Sequence, residues 1–138
     1  MLKKIIDTNI FIDRFSNSEA YKHIFLSEGP VYLSSIVVME LLAGAHTKKS
    51  IRAIYDLIDY FKRVDRIVVP TAKDYERAGE ILASLQAVKG YSIKKSASIT
   101  SDCILAASSK SVGAVLYTQN KKDFLALQSV FDFRVLFV

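Results

Sequence analysis

The sequence predicts an α/β fold, a central parallel sheet flanked by helices. Two observations carry this prediction. Short apolar runs of strand length alternate with segments whose apolar residues recur at helical spacing. Strands separated in this way by helical segments pair in parallel, because each crossover helix returns the chain to start the next strand from the same end. No internal repeat, low-complexity tract or shift of composition divides the 138 residues, so residues 1–138 read as one domain.

Leu2 to Ile6 is the first buried strand, followed by a helix from about Thr8 to Phe15. Tyr21, Ile24 and Phe25 mark a second, short helix that ends near Gly29-Pro30. Val31-Tyr32-Leu33 is the next strand, and Ser34 or Ser35 caps the helix that carries Glu40. Gly44 and His46 mark its end. Ile51, Ile54, Tyr55, Leu57, Ile58 and Phe61 form an apolar helical stripe, with Arg52, Asp56 and Asp59 opposite. Arg66-Ile67-Val68-Val69 is a strand stopped by Pro70, and Tyr75, Ala78, Ile81, Leu82 and Leu85 outline the next helix. The basic stretch Lys89 to Ser96 reads as a loop. Ser96 or Ser98 then caps a helix bearing Ile99, Cys103, Ala106 and Ala107. Ala114–Tyr117 and Arg134–Phe137 are the last strands.

Apolar residues make up 51% of the chain and charged residues 24%, which fits a folded domain and excludes a disordered one. No uninterrupted apolar run approaches the roughly 20 residues a membrane helix needs. The start, Met1-Leu2-Lys3-Lys4-Ile5-Ile6-Asp7, lacks the long apolar region of a signal peptide. Cys103 is the one cysteine, so no intramolecular disulfide forms and a cytoplasmic location is expected. Nineteen Lys and Arg against 14 Asp and Glu give a net charge of +5, which favours a polyanionic partner, nucleic acid first.

Four acids stand in apolar settings. Asp7 follows Ile5-Ile6, Glu40 lies in Ile36-Val37-Val38-Met39-Glu40-Leu41-Leu42-Ala43, Asp102 lies between Ile99 and Ala106, and Asp123 precedes Phe124. Burying an ionised carboxylate is costly unless something neutralises it. For several converging carboxylates with oxygen-only donors, a hard divalent cation, Mg²⁺ or Mn²⁺, fits best. Ligands of such sheets gather beyond the carboxyl ends of the strands. Asp7 ends the first strand, and Thr118, Asn120 and Asp123 directly follow the strand Ala114–Tyr117.

Each acid has a structural reading beside this one. Asp7 is placed to cap the first helix, Asp102 sits near a helix start where the dipole favours a carboxylate, and Asp123 alone is an ordinary surface or capping acid. Glu40 has no such role, since neither a cap nor a solvated face suits it. Asp13 is expected on a solvated helix face. His23 and His46 raise a metal-free, histidine-based mechanism, but neither belongs to a constellation of acid and base. Cys103 reads as core filler beside Ala106 and Ala107. Receiver-like phosphorylation fits poorly, because Glu40 and Asp102 lie inside helices rather than at strand ends.

Four segments resemble the PIN-domain family, and within it the VapC-like ribonuclease toxins of bacterial and archaeal toxin–antitoxin pairs. They are Asp7-Thr8-Asn9-Ile10-Phe11-Ile12-Asp13, Ser35-Ile36-Val37-Val38-Met39-Glu40-Leu41-Leu42-Ala43-Gly44, Asp102-Cys103-Ile104-Leu105-Ala106-Ala107 and Thr118-Gln119-Asn120-Lys121-Lys122-Asp123-Phe124. Each alone is weak, but all four occur in the family's order and approximate spacing across essentially the full length. The resemblance implies a three-layer α/β/α sandwich and an endoribonuclease dependent on Mg²⁺ or Mn²⁺. It implies that Asp7, Glu40 and Asp102 are metal-binding, catalytic acids, and that the fourth acidic place varies. Asn120 fills that place at one alignment and Asp123 at the other; Asp123 is favoured, with Thr8, Asn9, Thr118 and Asn120 as supporting polar groups. Lys121 and Lys122 adjoin the fourth segment and are the candidates for contact with RNA phosphate. A cognate antitoxin and a homodimer are the partners the resemblance implies. The alternatives are a DNA nuclease or RNA-processing enzyme using the same site, and a PIN-like domain kept for nucleic-acid binding without catalysis.

Overall fold

The computed structural model describes residues 1–94 and 98–138. Among these, five strands and seven helices follow in the order β1 (Lys3–Ile6), α1 (Thr8–Ser16), α2 (Lys22–Leu26), β2 (Val31–Ser34), α3 (Ser35–Ala43), α4 (Lys48–Arg63), β3 (Ile67–Val68), α5 (Ala72–Lys89), α6 (Ile99–Ser111), β4 (Ala114–Thr118), α7 (Lys121–Val130) and β5 (Val135–Phe137). The strands form one parallel sheet in the order β3-β2-β1-β4-β5. The expected α/β class, with a central parallel sheet flanked by helices, is the one observed.

The chain steps from β1 to β2 to β3 in one direction, then crosses back to β4 and β5. Parallel crossovers are right-handed, so α1 to α4 cover one face and α5 to α7 the other. The contacts agree: α3 packs on α1 and α4, and α5 packs on α6 and α7. The reversal makes a switch point between β1 and β4, whose carboxyl ends part to leave a crevice. Lys4 pairs with Val115 and Ile6 with Tyr117, which puts Asp7 and Thr118 at the mouth of that crevice.

Both faces of the central strands are covered, which is why β1 reads as a continuous apolar run rather than an alternating one. Ile5, Ile6, Leu33 and Leu116 are fully buried, joined by Ile10 and Val37 on one side and Ile99 and Phe124 on the other. Lys4 is also buried. Its ammonium donates to the carbonyls of Ile24 and Ser27 and to the Ser27 hydroxyl, which ties β1 to the end of α2.

Some boundaries differ from those expected. The stretch 66–69 shortens to Ile67–Val68, because β3 pairs only with Leu33 and Ser34 and Val69 is already turned to solvent before Pro70. Ser34, not Ser35, caps α3, its hydroxyl accepting from the Ile36 N–H at 3.2 Å. Ser98 holds the cap position of α6 without a side-chain cap bond, while Ser96 lies outside the described residues. After β4, where the apolar periodicity marks no helix, α7 occupies Lys121–Val130 and buries Phe124 and Leu127. No helix among the described residues is long and apolar enough to cross a membrane.

Candidate functional site

Asp7 is the first residue beyond β1. Its N–H continues the ladder to the Tyr117 carbonyl at 2.9 Å, and its extended backbone makes it the N-cap of α1. One carboxylate oxygen, Oδ1, accepts from the Thr8 N–H at 2.8 Å; the other, Oδ2, accepts from the Thr118 hydroxyl across the crevice at 2.7 Å. Capping and site membership are therefore not alternatives, because a carboxylate has two oxygens and each does one of these jobs.

Thr8 reaches the next acid. Its hydroxyl donates to Glu40 Oε1 at 2.8 Å, linking the first turn of α1 to the last turn of α3. Glu40 is half-buried, not sealed in the core as its apolar neighbours suggested, and Met39 beside it is exposed. Glu40 shares the buried face of α3 with Ile36, Val37 and Leu41, but it stands in the last turn of the helix, where it meets the Thr8 hydroxyl instead of the core.

Asp102 and Asp123 come from the other face of the sheet. Asp102 lies in the first turn of α6 and is only 5% exposed. Asp123 lies in the first turn of α7, whose N-cap is Asn120. The Asn120 amide donates to Asp102 Oδ2 at 3.3 Å and to Asp123 Oδ2 at 3.1 Å, one hydrogen for each. The Asn120 N–H donates to the Thr118 hydroxyl oxygen at 3.0 Å, so Thr118 passes the chain of bonds on to Asp7. Tyr91, from the segment after α5, donates its phenol to Asp123 Oδ1 at 2.8 Å.

The four acids feel one another. Asp102 has its carboxyl pushed up to about 8, first by burial and then by the charges of Asp7, Glu40 and Asp123. Burial raises Asp7 as well, against the bonds from Thr118 and Thr8 that hold it down. Glu40 is raised by burial, opposed by the Thr8 bond and reinforced by the charge of Asp7. Ion pairs among the described residues, Lys22 with Glu19 and Lys110 with Asp132, lie elsewhere, so every bond these acids receive comes from a neutral donor. The arrangement is a concentration of negative charge that neutral groups orient but do not cancel.

Its donor chemistry fits a hard divalent cation: carboxylate, amide and hydroxyl oxygens, with no sulfur or imidazole among these groups. No group of three His, Cys, Asp or Glu side chains among the described residues stands ready to hold one ion directly. Mg²⁺ does not need such a cage, because it keeps several waters and takes one or two protein carboxylates.

Other residues singled out from the sequence fall elsewhere. Asn9 is exposed on α1, and no hydrogen bond joins it to the acids among the described residues. Thr8 takes the inward position because successive helical residues point about 100° apart. Lys121 and Lys122 are exposed at the start of α7, one turn from Asp123. Asp13 is not on a solvated face: it is partly buried and accepts from Gln119 Nε2 at 2.6 Å, a nitrogen also 2.6 Å from the Tyr21 hydroxyl. His23 and His46 are exposed and outside the cluster, while Cys103 is buried and its thiol is pushed up to about 12, first by burial. Tyr91, beside Asp123, and Gln119, beside Asp13, carry no motif that marks them in the sequence. The one available sign for Tyr91 was an aromatic residue with a polar tip directly after Gly90, in an otherwise basic stretch.

The PIN domain family matches residues 4–128 of the chain. Among solved structures, the chain is 27% identical to a DNA-bound VapBC from Salmonella typhimurium, covering 99% of this chain and 98% of that one with a TM-score of 0.74. It is 22% identical to VapBC2 from Rickettsia felis bound to a DNA fragment from their promoter, covering 99% of each with a TM-score of 0.72. Over 100% of both chains it is 17% identical to VapBC-5 from Mycobacterium tuberculosis, a member of the VapBC family of toxin-antitoxin systems, with a TM-score of 0.69. No curated protein matches the chain.

Proposed function

This chain belongs to the PIN domain family, and from that premise we propose that it is a nuclease that hydrolyses RNA internally with Mg²⁺ or Mn²⁺, as the toxin of a toxin–antitoxin pair. One observation carries the reading: Asp7, Glu40, Asp102 and Asp123, drawn from both faces of the sheet, meet at the β1/β4 crevice, and among the described residues their hydrogen-bond donors are all neutral. A structural ion pair would supply a Lys or Arg. A site built to receive a cation leaves that place open.

Asp7, Glu40 and Asp102 would hold the ion between them, in part through its waters, with Asp123 completing the site and Asn120 orienting both of the acids it bonds. When bound, a divalent cation lowers the pKa of a water and offsets the charge that gathers on the attacked phosphate. The chain's residues do the rest. Thr8 and Thr118 each occupy one lone pair, of Glu40 Oε1 and Asp7 Oδ2, which leaves Glu40 Oε2 and the second lone pairs of the Asp7 oxygens to a cation. A carboxylate cluster left partly ionised is positioned to take the proton of the attacking water. Lys121 and Lys122, on the exposed start of α7, are the side chains to meet the flanking phosphates of a single strand.

For the partner, VapBC-5 from Mycobacterium tuberculosis is a member of a family of toxin–antitoxin systems, and on that likeness we assign this chain a cognate antitoxin. A groove of about 430 Å³ lined by Ile12, Phe15, Leu41, Ala53 and Ile54 lies apart from the acids and gives such a partner an apolar seat. A homodimer is expected on the same footing.

The test is cleavage of a mixed RNA pool, beside DNA of similar length, with Mg²⁺ or Mn²⁺ and with chelator. Wild type should cut RNA only with metal, and Asp7→Asn should not cut. Chelator-resistant cutting that survives Asp7→Asn, Glu40→Gln and Asp102→Asn overturns the mechanism, and preferential cutting of DNA overturns the substrate. Expressed alone the protein should arrest growth, and the adjacent small gene product should relieve the arrest. An unaffected host removes the toxin role.

A further inference from the structure

Asp123 is the least anchored of the four acids by its own helix, because it is half-buried in the first exposed turn of α7. Two groups fix it. Asn120 takes Oδ2 and Tyr91 takes Oδ1. Tyr91 is itself well placed to act as a fixed point. Gly90, at φ +68°, ends α5 in the left-handed conformation, the Tyr91 N–H bonds back to the Leu85 carbonyl at 3.2 Å, and the ring packs against the core. A rigid phenol on an anchored turn delivers one donor to one oxygen.

We propose that Tyr91 is a positioning residue for cation binding: by occupying Asp123 Oδ1 it holds the carboxylate so that Oδ2, shared with Asn120, faces Asp102. This rests on the metal-dependent reading above. The phenol has no other hydrogen-bond partner among the described residues, so its one donor is committed to that carboxylate oxygen. Groups that orient carboxylate or imidazole ligands from behind typically change metal affinity 10–100-fold when removed. A single bond to a half-buried acid belongs at the low end of that range.

The test is the Mn²⁺ dissociation constant of the full chain, measured by calorimetric titration for wild type, Tyr91→Phe, Asp123→Ala and the double variant. Tyr91→Phe should bind Mn²⁺ about 10-fold more weakly, and the double variant should bind no more weakly than Asp123→Ala alone, because the phenol acts through that carboxylate. The metal-free melting temperature of Tyr91→Phe is measured alongside, since a purely structural hydroxyl would lower it and leave Mn²⁺ affinity intact. Undiminished Mn²⁺ binding by Tyr91→Phe overturns the proposal while the metal site stands, as do effects of Tyr91→Phe and Asp123→Ala that multiply. A wild-type chain that binds no Mn²⁺ overturns the metal site, and the role of Tyr91 with it.

Discussion

Replacing Asp102 by Asn should stabilise the metal-free protein in alkaline solution while abolishing its activity. Asp102 is 5% exposed, and its carboxyl titrates near 8 rather than at the ordinary 3.8. At about 1.4 kcal/mol per pK unit, that rise puts the cost of ionising Asp102 in the fold on the order of 5–6 kcal/mol. Part of this comes from the charges of Asp7, Glu40 and Asp123 around Asp102 rather than from its own burial, so a gain of about 2–3 kcal/mol is the expectation for Asn at pH 8.5. The amide keeps an oxygen to accept from Asn120 and never charges. The sign follows from proton counts. Between the two pKa values the folded state holds a proton that the unfolded state has lost, so wild-type stability falls as pH rises from about 4 toward 8. The assay is thermal unfolding of metal-stripped protein at pH 4.5 and pH 8.5. At about 3 °C per kcal/mol for a chain of this size, the variant should melt roughly 6–9 °C above wild type at pH 8.5. At pH 4.5, where wild-type Asp102 is already neutral, the two should melt together. Mn²⁺ should raise the wild-type melting point at neutral pH by mass action, and raise that of the variant less. If the amide lowers the melting point at pH 8.5 by the 0.3–1 kcal/mol of a lost helix-start charge, or shifts it equally at both pH values, the reasoning fails.

Thr118→Val should cost about 1–3 kcal/mol in urea unfolding, because Thr118 is fully buried and both donates to Asp7 and accepts from the Asn120 N–H. The loss should be larger at pH 8 than at pH 5, since the bond to Asp7 favours its charged form; an equal loss at both would mean the hydroxyl serves packing alone. For Lys121→Ala with Lys122→Ala, RNA binding by an otherwise non-cleaving Asp7→Asn chain should lose salt sensitivity. Each phosphate contact removed flattens the slope of log K against log salt by about 0.7 for single strands. An unchanged slope in filter binding would place the phosphates elsewhere.

The layers of the fold were legible in the sequence because they rest on period and length. Strands of the kind Ile5-Ile6 are buried on both faces and stand out as unbroken apolar runs, and long helices such as α4 repeat one stripe over several turns. What failed was short or edge-located. The β3 strand pairs two residues, and its third apolar neighbour, Val69, is 67% exposed. Nothing in a run of Ile and Val says where its partner strand stops. The helix α7 buries only Phe124 and Leu127 and begins with two lysines, so its stripe is faint. A local signal is present all the same: Asn120 followed three residues later by Asp123 is a helix-start pattern, and the same two residues serve the site.

The site divides along the same line between local and long-range information. Asp7 and Asp102 announced themselves as charges in apolar settings, and both are buried. Glu40 carried the strongest such signal and is only half-buried, because it stands in the last turn of α3, where it meets the Thr8 hydroxyl instead of the core. Asn120 and Asp123 looked like rival fillers of one place, since a linear motif admits one residue per position. In three dimensions a separation of three residues puts a cap and its third helical residue side by side, so both stand at the site and Asn120 bridges Asp123 to Asp102. Tyr91 reaches Asp123 across 32 residues from the end of a neighbouring helix, a distance no periodicity spans. The acids are thus fixed by local sequence, while their orientation is fixed by neutral donors brought from afar. Swapping those donors for isosteres should therefore tune cation affinity without removing the charge that attracts the cation.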